Sequence, residues 1–84
     1  MLQRGAVIRS LAGRDKGRLL AVMQAEGGTV TVCDGSERPL NRPKSKNIRH
    51  VEPAGVSLPE SELAADRALK RALRRIDAEL NGNT

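Results

Sequence analysis

The chain has 84 residues, a formal net charge of +5 and no Phe, Tyr or Trp. That length allows one small domain with a modest core. The missing aromatics exclude base-stacking platforms for single strands and aromatic-lined grooves for proline-rich peptides. Cys33 is alone, which excludes an internal disulfide and a cysteine-based metal site and fits a reducing compartment.

The first ten residues, MLQRGAVIRS, lack the apolar stretch and cleavage pattern of a signal peptide. No apolar run approaches the roughly 18 residues that span a bilayer. The expectation is a cytoplasmic protein with no membrane role. GAVIRSL carries Val7 and Ile8 in a β-branched run and predicts a strand. AGRDKG breaks it with two glycines, and RLLAVMQA (18–25) resumes an apolar segment. Glu26-Gly27-Gly28 is a hairpin signal. Thr29, Val30, Thr31 and Val32 then form the clearest strand. Asp34-Gly35 reads as a turn and ERPL (37–40) as a short edge strand, because Pro39 has no N–H to donate. NRPKSKN (41–47) reads as a basic loop, and IRHV as a last strand closed by Pro53. Four or five short strands with no intervening helix predict a small barrel or meander.

Beyond residue 53 the pattern changes. Ser57 and Glu60 have capping-box spacing, and Pro59 suits a first helical turn. Leu69, Leu73, Ile76 and Leu80, with Ala65 and Ala72, make one apolar stripe, predicting a helix near Leu58–Leu80 that stops at Asn81-Gly82. The stripe packs on the barrel or serves a protein partner or homodimer seam. Asp66–Lys70 and Arg75–Glu79 are spaced for i, i+4 pairs, while Arg67–Arg71 and Arg71–Arg75 repel. The resulting division is residues 1–53 as barrel, 54–58 as linker, and 59–84 as helix and short tail.

Charge is uneven. Residues 1–53 hold ten Lys/Arg against five Asp/Glu, whereas residues 54–84 hold five of each. The excess favours an anionic partner, nucleic acid ahead of an acidic membrane. Two clusters carry it. In GRDKGR, Arg14, Lys16 and Arg18 surround Asp15, which suits orienting an arginine or capping the turn. Gly13 and Gly17 permit positive φ and close backbone approach to a ligand. In RPLNRPKSKNIR, Arg38, Arg42, Lys44, Lys46 and Arg49 follow with no acid among them, on a segment stiffened by Pro39 and Pro43. Arginine forks and lysine point charges both suit phosphates. The helix cations Arg67, Lys70, Arg71, Arg74 and Arg75 extend this surface, diluted by Asp66, Asp77 and Glu79.

The stretch GAVIRSLAGRDKGRLLAVM (5–23) resembles the KOW motif of ribosomal proteins and transcription elongation factors. Gly5, Val7, Gly13, Lys16, Gly17 and Val22 stand at its glycine, apolar and basic positions. CDGSERPLNRPKSKNIRHVEP (33–53) is similar to the second half of the large-subunit ribosomal proteins of the archaeal and eukaryotic fourteen-e type, where a basic proline-containing loop precedes a strand with Asn-x-x-His. Barrel plus helix is most similar to the small bacterial KOW-domain RNA-binding proteins. The resemblance implies a mainly β, SH3-like barrel of four to five short strands with one C-terminal amphipathic helix. It further implies binding of structured RNA, ribosomal RNA foremost, as a ribosomal or ribosome-associated protein.

His50 is the only histidine and Cys33 has no marked base. His50 is expected as a hydrogen-bonded structural residue or, by its Asn-x-x-His context, an RNA contact. Cys33 is expected as a small buried hydrophobe. No catalytic set emerges, and no cofactor or metal is expected, so the residues describe a binder rather than an enzyme. The competing class is a protein-interaction adaptor of the translation or transcription machinery, docking through Leu69, Leu73, Ile76 and Leu80.

Overall fold

The β-branched and leucine-rich runs of the first half pair into one antiparallel sheet in the computed structural model, which describes residues 2–82. Its strands are β1 (Ala6–Ser10), β2 (Leu19–Glu26), β3 (Thr29–Cys33), β4 (Lys44–Asn47) and β5 (Val51–Ser57), in the order β4-β3-β2-β1-β5. β4 and β5 lie at opposite edges, yet only a 3₁₀ turn, Ile48–His50, joins them. A flat sheet cannot satisfy so short a link, so the sheet curls into a small barrel. Register shifts between Val22 and Gln24, and along β1 opposite β5, supply the bend.

Alternation then buries both faces. Ile8, Leu20, Val22, Val30, Val32 and Val51 fill the barrel. Val7, Leu19, Ala21 and Cys33 point the other way, under Leu63 of α1 (Glu60–Leu63) and Leu69, Ala72, Leu73 and Ile76 of α2 (Asp66–Asn81). The fold is mainly β, a small barrel followed by a C-terminal helical segment, as the sequence predicts. The helix doubles a core that aliphatic residues alone keep thin.

Several boundaries differ from expectation. Residues 54–57, read as linker, belong to β5 and pair with β1, ending at Ala6 opposite Ser57. Pro53 lies inside that strand opposite Ile8 and is tolerated because β5 is an edge. ERPL forms no strand, Lys44–Asn47 of the expected basic loop forms β4, and Ile48–His50 turns instead of extending. Ser57 caps nothing, since α1 starts at Glu60 with Pro59 as N-cap and no side-chain cap bond.

The helix is also broken. Ala65 is extended (φ −149°, ψ 146°) and separates α1 from α2. On one continuous helix Leu63 and Leu69 would point about 120° apart; the break lets both reach the core. The anticipated i, i+4 pairs give way to longer links. Arg75 forks onto Glu62 at 2.9 and 3.2 Å, and Arg4 onto Glu60 at 2.8 and 3.1 Å. These hydrogen bonds hold both carboxyls below the usual glutamate range. α2 ends at Asn81 with Gly82 as C-cap, as expected, while residues 83–84 of the anticipated tail lie outside the described residues.

Leu69, Leu73 and Ile76 of the stripe are buried against the chain's own barrel. Of the two uses open to the stripe, packing on the barrel is the one observed for these three residues, and a side chain spent on the core is not open to a second protein. Leu80 stays 46% exposed at the end of α2. No helix among the described residues is long and apolar enough to cross a membrane.

Candidate nucleic-acid interface

The β1–β2 loop is built by its own backbone. Lys16 N–H donates to the Gly13 carbonyl and Arg18 N–H to that of Asp15, making two overlapping turns. Ser10 and the loop's end close it through Gly17 N–H to Ser10 O at 2.8 Å and Ser10 N–H to Arg18 O at 2.9 Å. Gly13 and Gly17 have φ of 78° and 87°, the conformation their positions called for. Arg9, not singled out from the sequence, donates from Nη1 to the Gly17 carbonyl at 2.7 Å. Arg14 and Lys16 are left at the exposed tip.

The β3–β4 loop is organised by two aspartates. Asp34 Oδ1 accepts from the Ser36 and Arg38 N–H groups, each at 2.8 Å, which bears out its reading as a turn residue. Asp66, from the start of α2, accepts the Leu40 N–H at 2.7 Å. Its nearness to Lys70 in sequence concealed that role. Gly35 lies so close to α2 that an added Cβ would meet the Asp66 carbonyl oxygen at 2.3 Å.

These two loops, about two dozen residues apart in sequence, are fastened together. Asp15, 2% exposed, holds Arg38 through Nε at 3.2 Å and Nη2 at 3.1 Å. Lys46 Nζ donates to the Ala12 carbonyl at 3.2 Å, and Arg18 pairs with Glu37 at 2.9 Å. Between them opens a cleft of about 470 Å³ lined by Arg14, Glu37, Arg38, Arg42 and Pro43.

The eight candidate cations therefore divide. Arg38 and Arg18 are committed to acids, the first to a buried carboxylate and the second to Glu37 with Asp34 at 3.9 Å. Lys46 is half-buried and braces the first loop, though a carbonyl partner leaves its charge uncompensated. Arg14, Lys16, Arg42, Lys44 and Arg49 are exposed and have no acidic partner among the described residues. Arg14 and Arg42 line the cleft. Lys44 precedes Lys46 by two on β4 and so leaves the same side of the sheet. Arg49 sits in the 3₁₀ turn, whose His50 carbonyl accepts the Leu11 N–H at the entrance to the first loop.

His50 is exposed and its side chain makes no hydrogen bond among the described residues, so the structural role expected for it is not the one observed. Cys33 is fully buried, its thiol donating to the Pro39 carbonyl at 3.5 Å. Burial foremost, then the charges of Asp66 and Asp34, pushes that thiol up to about 11. It stays protonated at neutral pH. Among the described residues no three His, Cys, Asp or Glu side chains gather as a metal site. Compared with models of known protein families and with curated proteins, the chain matches none.

Proposed function

We propose that this protein binds structured RNA, ribosomal RNA foremost, by gripping phosphates with its two converging basic loops. The observation that carries the reading is the cleft, where Arg14 from one loop and Arg42 from the other face one opening. A buried ion pair fixes the two loops to each other. Loops fixed to each other lose little backbone entropy on docking and suit recognition by shape and backbone rather than by base identity. The resemblance of residues 5–23 to the KOW motif, and of 33–53 to the fourteen-e ribosomal proteins, supports RNA over other polyanions and a ribosomal or ribosome-associated setting in the cytoplasm. No catalytic arrangement is part of the proposal. The adaptor alternative loses ground because the stripe it relies on packs inward.

The test compares Arg14→Ser/Lys16→Ser with Arg42→Ser/Lys44→Ser, using fluorescence anisotropy on a ribosomal RNA stem-loop. Both variants should melt like the parent, since these four side chains make no tertiary bond among the described residues. Each should bind more weakly and lower the slope of log K against log salt by about 1.4, at roughly 0.7 per phosphate contact on irregular RNA. Parent-like affinity in both variants would remove the cleft from the account.

A further inference from the structure

We propose that the exposed face of α2 is a second RNA-backbone site, separate from the cleft, so that one molecule holds two RNA segments. The proposal rests on the RNA reading of the cleft and goes beyond it. Arg67, Lys70, Arg71 and Arg74 are all exposed and line one shallow depression containing no acid. Their spacing of i, i+3, i+4 and i+7 puts four positive charges on one face. Among the described residues none has an acidic partner.

Two of the three acids that dilute this helix in sequence are turned elsewhere, and the third, Glu79, does not line the depression. Asp66 accepts the Leu40 N–H, Asp77 accepts from Asn81 and faces Arg9 at 3.6 Å, and Arg75 is taken by Glu62. The neutral sum over residues 54–84 thus conceals a concentrated positive face. Like charges at these spacings oppose helix formation, so folding alone gives no reason for the cluster. A phosphate backbone relieves it. Three of the four are arginines, whose forked donors suit phosphate oxygens. The groove between this face and the barrel loops holds Asp34 and Asp77 beside Arg18, Lys70 and Arg74. That mixed strip separates the helix face from the cleft and makes two sites rather than one track.

A sandwich assay tests this with the full chain. A biotinylated RNA hairpin is immobilised, protein is added, and a fluorescein-labelled copy of the hairpin follows. The parent should retain the fluorescent copy. Arg67→Gln/Arg71→Gln/Arg74→Gln keeps good helix formers and should still bind one hairpin but fail to retain the second. Its salt slope in direct titration should fall by about 2. Arg14→Ser/Arg42→Ser should likewise reduce the sandwich. A triple variant that still sandwiches, or keeps the parent's affinity and slope, overturns the second site while leaving the cleft standing. A parent that binds no hairpin at low salt overturns the RNA reading itself. A triple variant that loses phosphatidylglycerol vesicles but keeps its RNA behaviour assigns the face to a membrane, and also overturns the proposal.

Discussion

The Asp15–Arg38 pair can be taken apart one side at a time, and its two halves should not be equivalent. Asp15's side chain is 3% exposed and Arg38's is 22% exposed, with nitrogen and oxygen 3.1 Å apart. At an effective dielectric of about 20 their gross attraction is about 5 kcal/mol, most of it offset by desolvation. Arg38→Gln strands a carboxylate that cannot reach water and should cost about 3 kcal/mol, the lower end for breaking a buried pair. Asp15→Asn leaves a guanidinium that can turn outward, and should cost only about 1–2 kcal/mol. In a domain this size 3 kcal/mol corresponds to a Tm lower by about 12–24 °C. Urea unfolding of the parent, both single variants and the double variant closes a cycle whose coupling should be about 2 kcal/mol. Additive costs, or Asp15→Asn as the more damaging change, would show that the pair does not fasten the loops.

Three further outcomes follow from local geometry. Gly17→Val should cost about 1–3 kcal/mol from its positive φ alone, because no atom lies within 4 Å of the new Cβ. Gly35→Ala adds overlap with the Asp66 carbonyl to a similar φ of 79° and should cost about 2–5 kcal/mol; thermal melts ranking Gly17→Val above it would contradict this packing. Cys33 should resist a thiol reagent until the protein unfolds. Because its pKa is raised from 9.0 to about 11, the unfolded chain loses the proton first. Stability should hold below pH 9 and decline between pH 9 and 11 more steeply than in Cys33→Ala, and parallel pH profiles would count against a buried thiol.

Local chemistry was legible in the sequence, and non-local pairing was not. The Gly27-Gly28 hairpin follows from turn chemistry, and the β3 alternation and the buried trio Leu69, Leu73 and Ile76 follow from periods of 2 and 3.6. The two cation clusters were visible as density. Which cations stay unpaired was hidden, because Arg38 meets Asp15 across 23 residues and Arg18 meets Glu37 across 19. The α1–α2 break was equally silent, since Ala65 is a strong helix former, extended only by the demand to bury Leu63 with Leu69. β5 ran past Pro53 because an edge strand needs no donor there. Where Asp66 and Asp77 point was hidden as well, because a charge count over residues 54–84 does not place side chains.

The central claim, that unpaired loop cations grip RNA phosphates, is tested most directly by a salt series on the parent with a ribosomal RNA stem-loop. Arg14, Lys16, Arg42, Lys44 and Arg49 offer four to five phosphate contacts from the barrel loops. On irregular RNA that corresponds to a slope of log K against log salt of about −3 to −3.5 for this surface. To isolate it from the helix face, the Arg67→Gln/Arg71→Gln/Arg74→Gln background is titrated beside the parent. A slope near −3 that survives in that background supports the cleft. A slope close to zero there would contradict it.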